Sequence, residues 1–199
     1  MSQVTRELCA AWKLRVTLAP MSDDRVRTMI RTRRGVIDFQ TYFVRRRARD
    51  TTLAADFEGA EKAKPAPGLL QAIREAAGVI LCPSNPIISI GPILAVPGIR
   101  DALRKTKAPV LAISPIVGGR ALKGPAARMM KSLGHRVSAL GVAELYRDFV
   151  DVFVLDREDA ALEPKIATLG VRAVVTDTIM ANLARRKSLA RAAVRELGL

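Results

Sequence analysis

Three groups of residues have types and spacings suited to holding a phosphorylated ligand. Ser84, Asn85 and Ser89 fall in and just after Pro83-Ser84-Asn85-Pro86, where small hydroxyl and amide groups can meet a phosphate or a ring edge. Gly118 and Gly119, followed by Arg120 and Lys123, combine backbone that can approach a ligand closely with two cations. They stand before a helix expected to start near Pro125, whose free N–H groups favour an anion; the same Gly-Gly-basic pattern also describes an ordinary mobile loop. The third group is acidic. Asp23 and Asp24 sit in a chain break and read either as a turn cap and a solvated charge or as neighbours of a metal or substrate, a candidacy that Asp177 in Thr176-Asp177-Thr178 shares. His135, the single histidine, follows directly on Gly134 and reads as a structural or exposed imidazole rather than a catalytic base.

The first two groups stand where an apolar run stops. Val79 to Cys82 lacks alternation, which reads as a strand buried on both faces, and it ends at the Pro-Ser-Asn-Pro corner. Val110 to Ile113 is a second such run, ending at Ser114-Pro115, and a helix over Ile99 to Lys105 lies between them. This is a β-α-β unit with both loops on one edge of the sheet, where ligands of parallel α/β folds bind. Further helices are expected at Leu69 to Ala77, Ala126 to Leu133, Val142 to Val150, Ala160 to Leu169 and, as a basic closing helix, Leu189 to Leu197. Strands are expected at Val152 to Leu155, ending at Asp156, and at Ala173 to Val175. The alternation makes the fold class α/β, a three-layer, mostly parallel sheet.

Residues 1–68 have a different pattern, that of a hairpin and helical insertion packing on the α/β part at 69–199, the whole forming one domain. A helix is expected over 4–12 with Val4, Leu8, Ala11 and Trp12 on one face, then a strand at Leu14 to Leu18. Val26 to Thr32 and Gly35 to Phe39 form a hairpin around Arg33-Arg34-Gly35. A short helix over 39–47 carries Arg45, Arg46 and Arg47 at the negative end of its dipole, where cations are favourable with or without a phosphate. A strand at Leu53 to Phe57 follows.

The chain of 199 residues has a formal charge of +14, and its basic residues are spread over the whole length. Only 4% of residues are aromatic and no helix-turn-helix or sheet-stacking signature is present, so the charge points to anionic metabolites and a solvated surface rather than to specific nucleic-acid binding. There is no run of about 18 uncharged apolar residues and no signal-peptide core near Met1, which predicts a cytoplasmic protein without a membrane span. Cys9 and Cys82 are expected to be reduced core thiols.

Seven collinear motifs carry a family resemblance: Met21-Ser22-Asp23-Asp24, Asp38-Phe39-Gln40 with Val44-Arg45-Arg46, Phe57-Glu58-Gly59-Ala60, Pro83-Ser84-Asn85-Pro86 with Ser89 to Ile93, Val96 to Arg100, Ser114 to Gly119 with Lys123-Gly124-Pro125, and Thr176-Asp177-Thr178. Together they resemble the 2-phospho-L-lactate transferase family. The resemblance implies a Rossmann-like fold and a transferase of deazaflavin coenzyme (F-420) biosynthesis. Such an enzyme moves 2-phospho-L-lactate, or its enolpyruvyl counterpart, from a GDP-activated donor onto the deazaflavin Fo, releases GMP and requires Mg²⁺. It also implies a glycine-rich strand-loop-helix and further aspartates ahead of Met1, so the chain corresponds to a carboxyl-terminal portion without its first β-α-β unit. The resulting expectations are a complementing N-terminal polypeptide or a homodimer, or else a non-catalytic remnant that binds nucleotides and anions.

Overall fold

A computed structural model describes residues 1–199. Helix α1 (Ser2–Ala11) forms as the periodicity predicts, yet it buries none of its residues. Val4, Leu8 and Trp12 stay exposed, and the helix start is tied down by Asp23, which pairs with the terminal ammonium at 2.8 Å and accepts from the Ser2 N–H. The expected strand at Leu14 to Leu18 does not form. Apolar alternation needs a neighbouring ladder to become a strand; no strand pairs there, and Leu14, Val16 and Leu18 are exposed.

The expected hairpin is present as β1 (Arg27–Thr32) and β2 (Gly35–Asp38), in antiparallel register from Thr32↔Gly35 to Met29↔Asp38. A wide helical turn over Thr41–Arg45 follows, started by Asp38, whose carboxylate accepts from the Thr41 N–H at 2.9 Å and hydroxyl at 2.7 Å. Strand β3 (Ala54–Glu58) then pairs with the free side of β1, so the hairpin is part of a three-stranded sheet ordered β2-β1-β3. Ile30, Tyr42 and Ala48 seal this region against Met129 of the α/β part, and Arg128 donates to the Ala48 carbonyl.

The α/β part begins with α2 (Leu69–Glu75) and β4 (Val79–Leu81). After the Asn85 corner come a wide turn over Pro86–Ile90, α3 (Gly91–Ala95) and α4 (Ile99–Lys105). Strand β5 (Val110–Ile113) leads into a small hairpin of β6 (Ile116–Val117) and β7 (Arg120–Ala121), then α5 (Ala126–Ser132) and α6 (Ala139–Tyr146). Strand β8 (Val152–Asp156), α7 (Glu163–Ala167), β9 (Arg172–Thr176) and α8 (Leu183–Glu196) complete the chain. Four strands form one parallel sheet in the order β4-β5-β8-β9.

The period-2 alternation of the strands divides the core between two faces. Leu81, Val110, Ala112, Phe153 and Leu155 pack with residues of α2, α4, α5, α6 and α7. Leu111, Ile113, Val152 and Val154 face α8 through its Leu189 and Ala193 and the following Leu197. Because α8 alone covers this second face, β4 is not buried on both sides as expected: Ile80, in register with Leu111, is 37% exposed. Cys82 is also exposed and Cys9 only half-buried, so neither is a core thiol, though both are free as expected. No single helix is long and apolar enough to cross a membrane.

Candidate functional site

Beyond the carboxyl ends of the parallel strands lies a cavity of about 740 Å³. Pro83 and Asn85 line it from the end of β4; Ser114, Pro115 and Val117 from the end of β5; Leu122 and Lys123 from the chain after β7. The opposite wall is Thr178 to Ala181, after β9, together with Arg186 in the first turns of α8. Parallel strands feeding loops of differing length leave such a crevice at this edge of the sheet.

The neutral polar side chains of this lining are engaged with the protein. The Asn85 Oδ1 accepts from the N–H groups of Ile87 at 2.9 Å and Ile88 at 3.3 Å, which caps the turn over Pro86–Ile90. The buried Ser114 hydroxyl donates to the Ile116 carbonyl at 2.8 Å and accepts from its N–H at 3.1 Å, bending the chain from β5 into β6. Thr178 donates both its N–H, at 2.8 Å, and its hydroxyl, at 2.9 Å, to Asp156 Oδ2. Lys123 and Arg186 are the only ionisable side chains in the lining, and neither belongs to an ion pair. The crevice therefore presents two unpaired, solvent-exposed cations, which favour an anionic ligand.

Two buried carboxylates stand at the end of β8, Asp156 as its last residue and Asp159 three residues on. At Asp156 burial works to raise the pKa, but the Thr178 N–H, the Glu158 N–H and the Thr178 hydroxyl together outweigh it and hold the carboxyl below its ordinary range. At Asp159 burial pushes the pKa up, the Gly118 N–H opposes it, and the negative charges of Asp156 and Glu158 add to the rise.

The structure thus brings Asn85 and Lys123 together, while Ser84, which precedes Asn85, is not in the lining. Ser89 is exposed on the turn over Pro86–Ile90 and does not line the cavity. Gly118 and Gly119 form the two-residue tip of the β6–β7 hairpin, both with positive φ (55° and 71°), a conformation that glycine adopts readily. A Cβ at Gly118 would lie 2.5 Å from Glu158 Oε2, and neither glycine is in the cavity lining. Arg120 is drawn to Glu158 at 3.6 Å.

The three candidate aspartates lie on two separate segments, the adjacent Asp23 and Asp24 on one and Asp177 on the other, and each has a protein partner. Asp23 holds the N-terminus, which keeps its carboxyl far below the usual range; Asp24 accepts from the Lys64 N–H at 2.8 Å; Asp177 pairs with Arg185. No three His, Cys, Asp or Glu side chains converge as a metal-binding group. Mg²⁺ is commonly held by only one or two carboxylates together with ligand phosphates, and each of these three carboxylates already has a protein partner. His135, after the positive-φ Gly134, lies in a separate groove with Phe57 and Leu133, away from the cavity lining.

Arg186 and the Thr178 to Ala181 wall escaped the sequence reasoning because the last helix was expected to begin near Leu189. Its true start was encoded: Asn182 accepts from the Arg185 N–H at 3.0 Å, so the Asn-Leu-Ala-Arg pattern is an N-cap that places Arg186 next to the end of β9.

A family model described as "2-phospho-L-lactate transferase CofD" matches residues 1–194. Among curated proteins, the 2-phospho-L-lactate transferase of Methanosarcina mazei is 40% identical over 186 residues, covering 94% of this chain and 61% of that protein. The phosphoenolpyruvate transferase of Streptomyces coelicolor is 41% identical, covering 98% of this chain and 62% of that protein. The chain spans about three fifths of the length of the curated relatives it matches. A crystal structure of protein BH3568 from Bacillus halodurans shares the fold, with a TM-score of 0.67 at 16% identity over 97% of this chain and 66% of that one.

Proposed function

The chain belongs to the 2-phospho-L-lactate transferase CofD family, and from this we propose that it forms the phosphate-handling part of a transferase in coenzyme F-420 biosynthesis. The donor in this proposal is GDP-activated 2-phospho-L-lactate or its enolpyruvyl counterpart, and the acceptor is the ribityl hydroxyl of the deazaflavin Fo. The acceptor hydroxyl loses its proton to water as its oxygen bonds to the phosphorus that carries the three-carbon acid, the bond from that phosphorus to the bridging oxygen breaks, and GMP leaves. The observation that carries this reading is the pair of unpaired cations, Lys123 and Arg186, facing one crevice at the carboxyl edge of a parallel sheet. Such cations draw in the diphosphate and neutralise charge as it shifts onto the departing GMP, while fixed walls hold the donor in place.

No step here is routed through a metal. The exposed Ile80 and Cys82 at the β4 edge, with the bare apolar stripe of α1, support completion of the sheet by a further α/β segment, or burial against a second copy. Turnover of Fo and the GDP-activated donor, with this chain alone and with such a segment added, tests the proposal. GMP release in either case supports it, and no release in both counts against it.

A second reading, a nucleotide- and anion-binding module without turnover, is favoured by one observation: the lining has two cations and no carboxylate or imidazole to accept a proton. Calorimetry showing guanine-nucleotide binding in a preparation that releases no GMP would support it.

A further inference from the structure

We propose that Asp156 is a positioning residue for this cavity: its carboxylate clamps Thr178 and thereby sets the wall that carries Arg186. The proposal rests on the anion-site reading above. Asp156 does not line the cavity. It is the last residue of β8, 4% exposed, and its Oδ2 receives both the N–H and the hydroxyl of Thr178 from the chain after the neighbouring strand β9. Its Oδ1 accepts from the Glu158 N–H at 3.1 Å, so the carboxylate is held in one orientation.

The wall it holds is short and pinned at two places. Thr178, 5% exposed, is the first pinned point. The second is the start of α8, where Arg185 pairs with Asp177 and Asn182 caps the helix. Ile179, Met180 and Ala181 run between these points along the cavity, and the Arg186 cation follows one residue after Arg185. Between the strand end and the helix cap, Asp156 supplies the attachment of this segment to β8. Packing of Leu189 and Ala193 on the sheet holds the body of α8, and the carboxylate fixes the segment that leads into its first turns, where Arg186 stands.

Charge and position predict opposite signs here. Asp156 is an anion beneath a site for anions, so removing its charge would by electrostatics alone tighten anion binding. Asp156→Asn is nearly isosteric, but one of its two positions becomes an NH2 donor, so it cannot accept from the Thr178 pair and from the Glu158 N–H at once; a buried N–H loses its partner and the clamp is no longer held in one orientation. The clamp therefore predicts weaker binding from the variant that removes a negative charge. Asp159→Asn is the matched control: it removes a buried carboxylate three residues away that holds Gly118 and makes no bond to Thr178.

The test uses the full chain with inorganic pyrophosphate, titrated by calorimetry at low ionic strength, with amide hydrogen exchange over residues 177–182 and thermal unfolding of each variant. For D156N the affinity is expected to fall about tenfold, with faster exchange over 177–182 and unchanged exchange over the β5 segment 110–113. D159N should bind no more weakly than wild type. Thr178→Val, which keeps the backbone bond and loses the hydroxyl bond, should show a smaller change in the same direction, and it decides the matter if D156N does not fold. Binding by D156N as tight as or tighter than wild type, or an equal loss in D159N, overturns the clamp. If wild type itself binds no pyrophosphate, the anion-site reading falls; unchanged exchange over 177–182 in D156N then overturns the clamp separately.

Discussion

Asn85 is the residue at which structural and functional roles can be separated by a single atom. Its Oδ1 takes the N–H groups of Ile87 and Ile88, and Asn85 also faces the cavity. Asn85→Ala removes the cap, which at typical capping values costs about 1–2 kcal/mol. For a chain of 199 residues that corresponds to a fall in Tm of roughly 2–8 °C. Asn85→Asp keeps an acceptor for both N–H groups and should unfold within about 2 °C of wild type. It also places a negative charge in a lining whose only other charges are Lys123 and Arg186. At ~7 Å from a bound phosphate, with an effective dielectric between ~20 and ~80, the repulsion is roughly 0.6–2.4 kcal/mol per ligand charge, a loss of about 3- to 60-fold in affinity. Thermal unfolding and pyrophosphate calorimetry on the two variants form the assay. If Asn85→Asp proved as destabilising as Asn85→Ala, the cap would be refuted, and wild-type affinity in the Asn85→Asp variant would refute the charge argument.

Other expectations follow from equally local features. Gly141→Ala would bring a Cβ to 2.0 Å from the Arg136 carbonyl in the buried face of α6, so urea unfolding should show a loss of at least about 1–3 kcal/mol. The Arg100 guanidinium beside Asp148 holds that carboxyl below the usual range. A depressed folded-state pKa contributes stability that is present above the unfolded value of about 4 and is lost as pH falls through the folded value. Asp148→Asn should therefore flatten the acid limb of stability against pH, and an unchanged limb would dismiss the pair as a contributor. Raising salt from about 50 to 200 mM should weaken pyrophosphate binding markedly, because Lys123 and Arg186 act through charge; salt-independent affinity would argue against the cations.

The sheet was readable because buried parallel strands need unbroken apolar runs, and Val110 to Ile113 and Val152 to Leu155 have no other use for theirs. Helix α4 was equally plain, between a positive-φ Gly98 and a basic last turn. What failed depended on neighbours rather than on pattern. Leu14 to Leu18 alternates like a strand but has no ladder, and Val79 to Cys82 looks fully buried until the sheet order makes it an edge. At the site, Asn85 and Lys123 were legible as polar groups beyond strand ends. Gly118-Gly119 left two readings open because a hairpin tip and a phosphate loop both favour glycine, and the β6–β7 pairing shows that the hairpin tip is one use of them. Asp156 was visible as a strand end, but its bond to Thr178 crosses between strands 22 residues apart and could not be read from spacing.

The central claim is that Lys123 and Arg186 together make the carboxyl edge of the sheet a diphosphate site. Titration calorimetry of guanosine diphosphate against wild type and a Lys123→Met, Arg186→Met double variant tests it most directly, with thermal unfolding to confirm that both are folded. The account predicts binding by wild type and a loss of about 100-fold or more in the variant, since each charge-assisted contact contributes roughly 1.5–3 kcal/mol. Equal affinity in the two folded proteins, or no binding by wild type at low ionic strength, would contradict it.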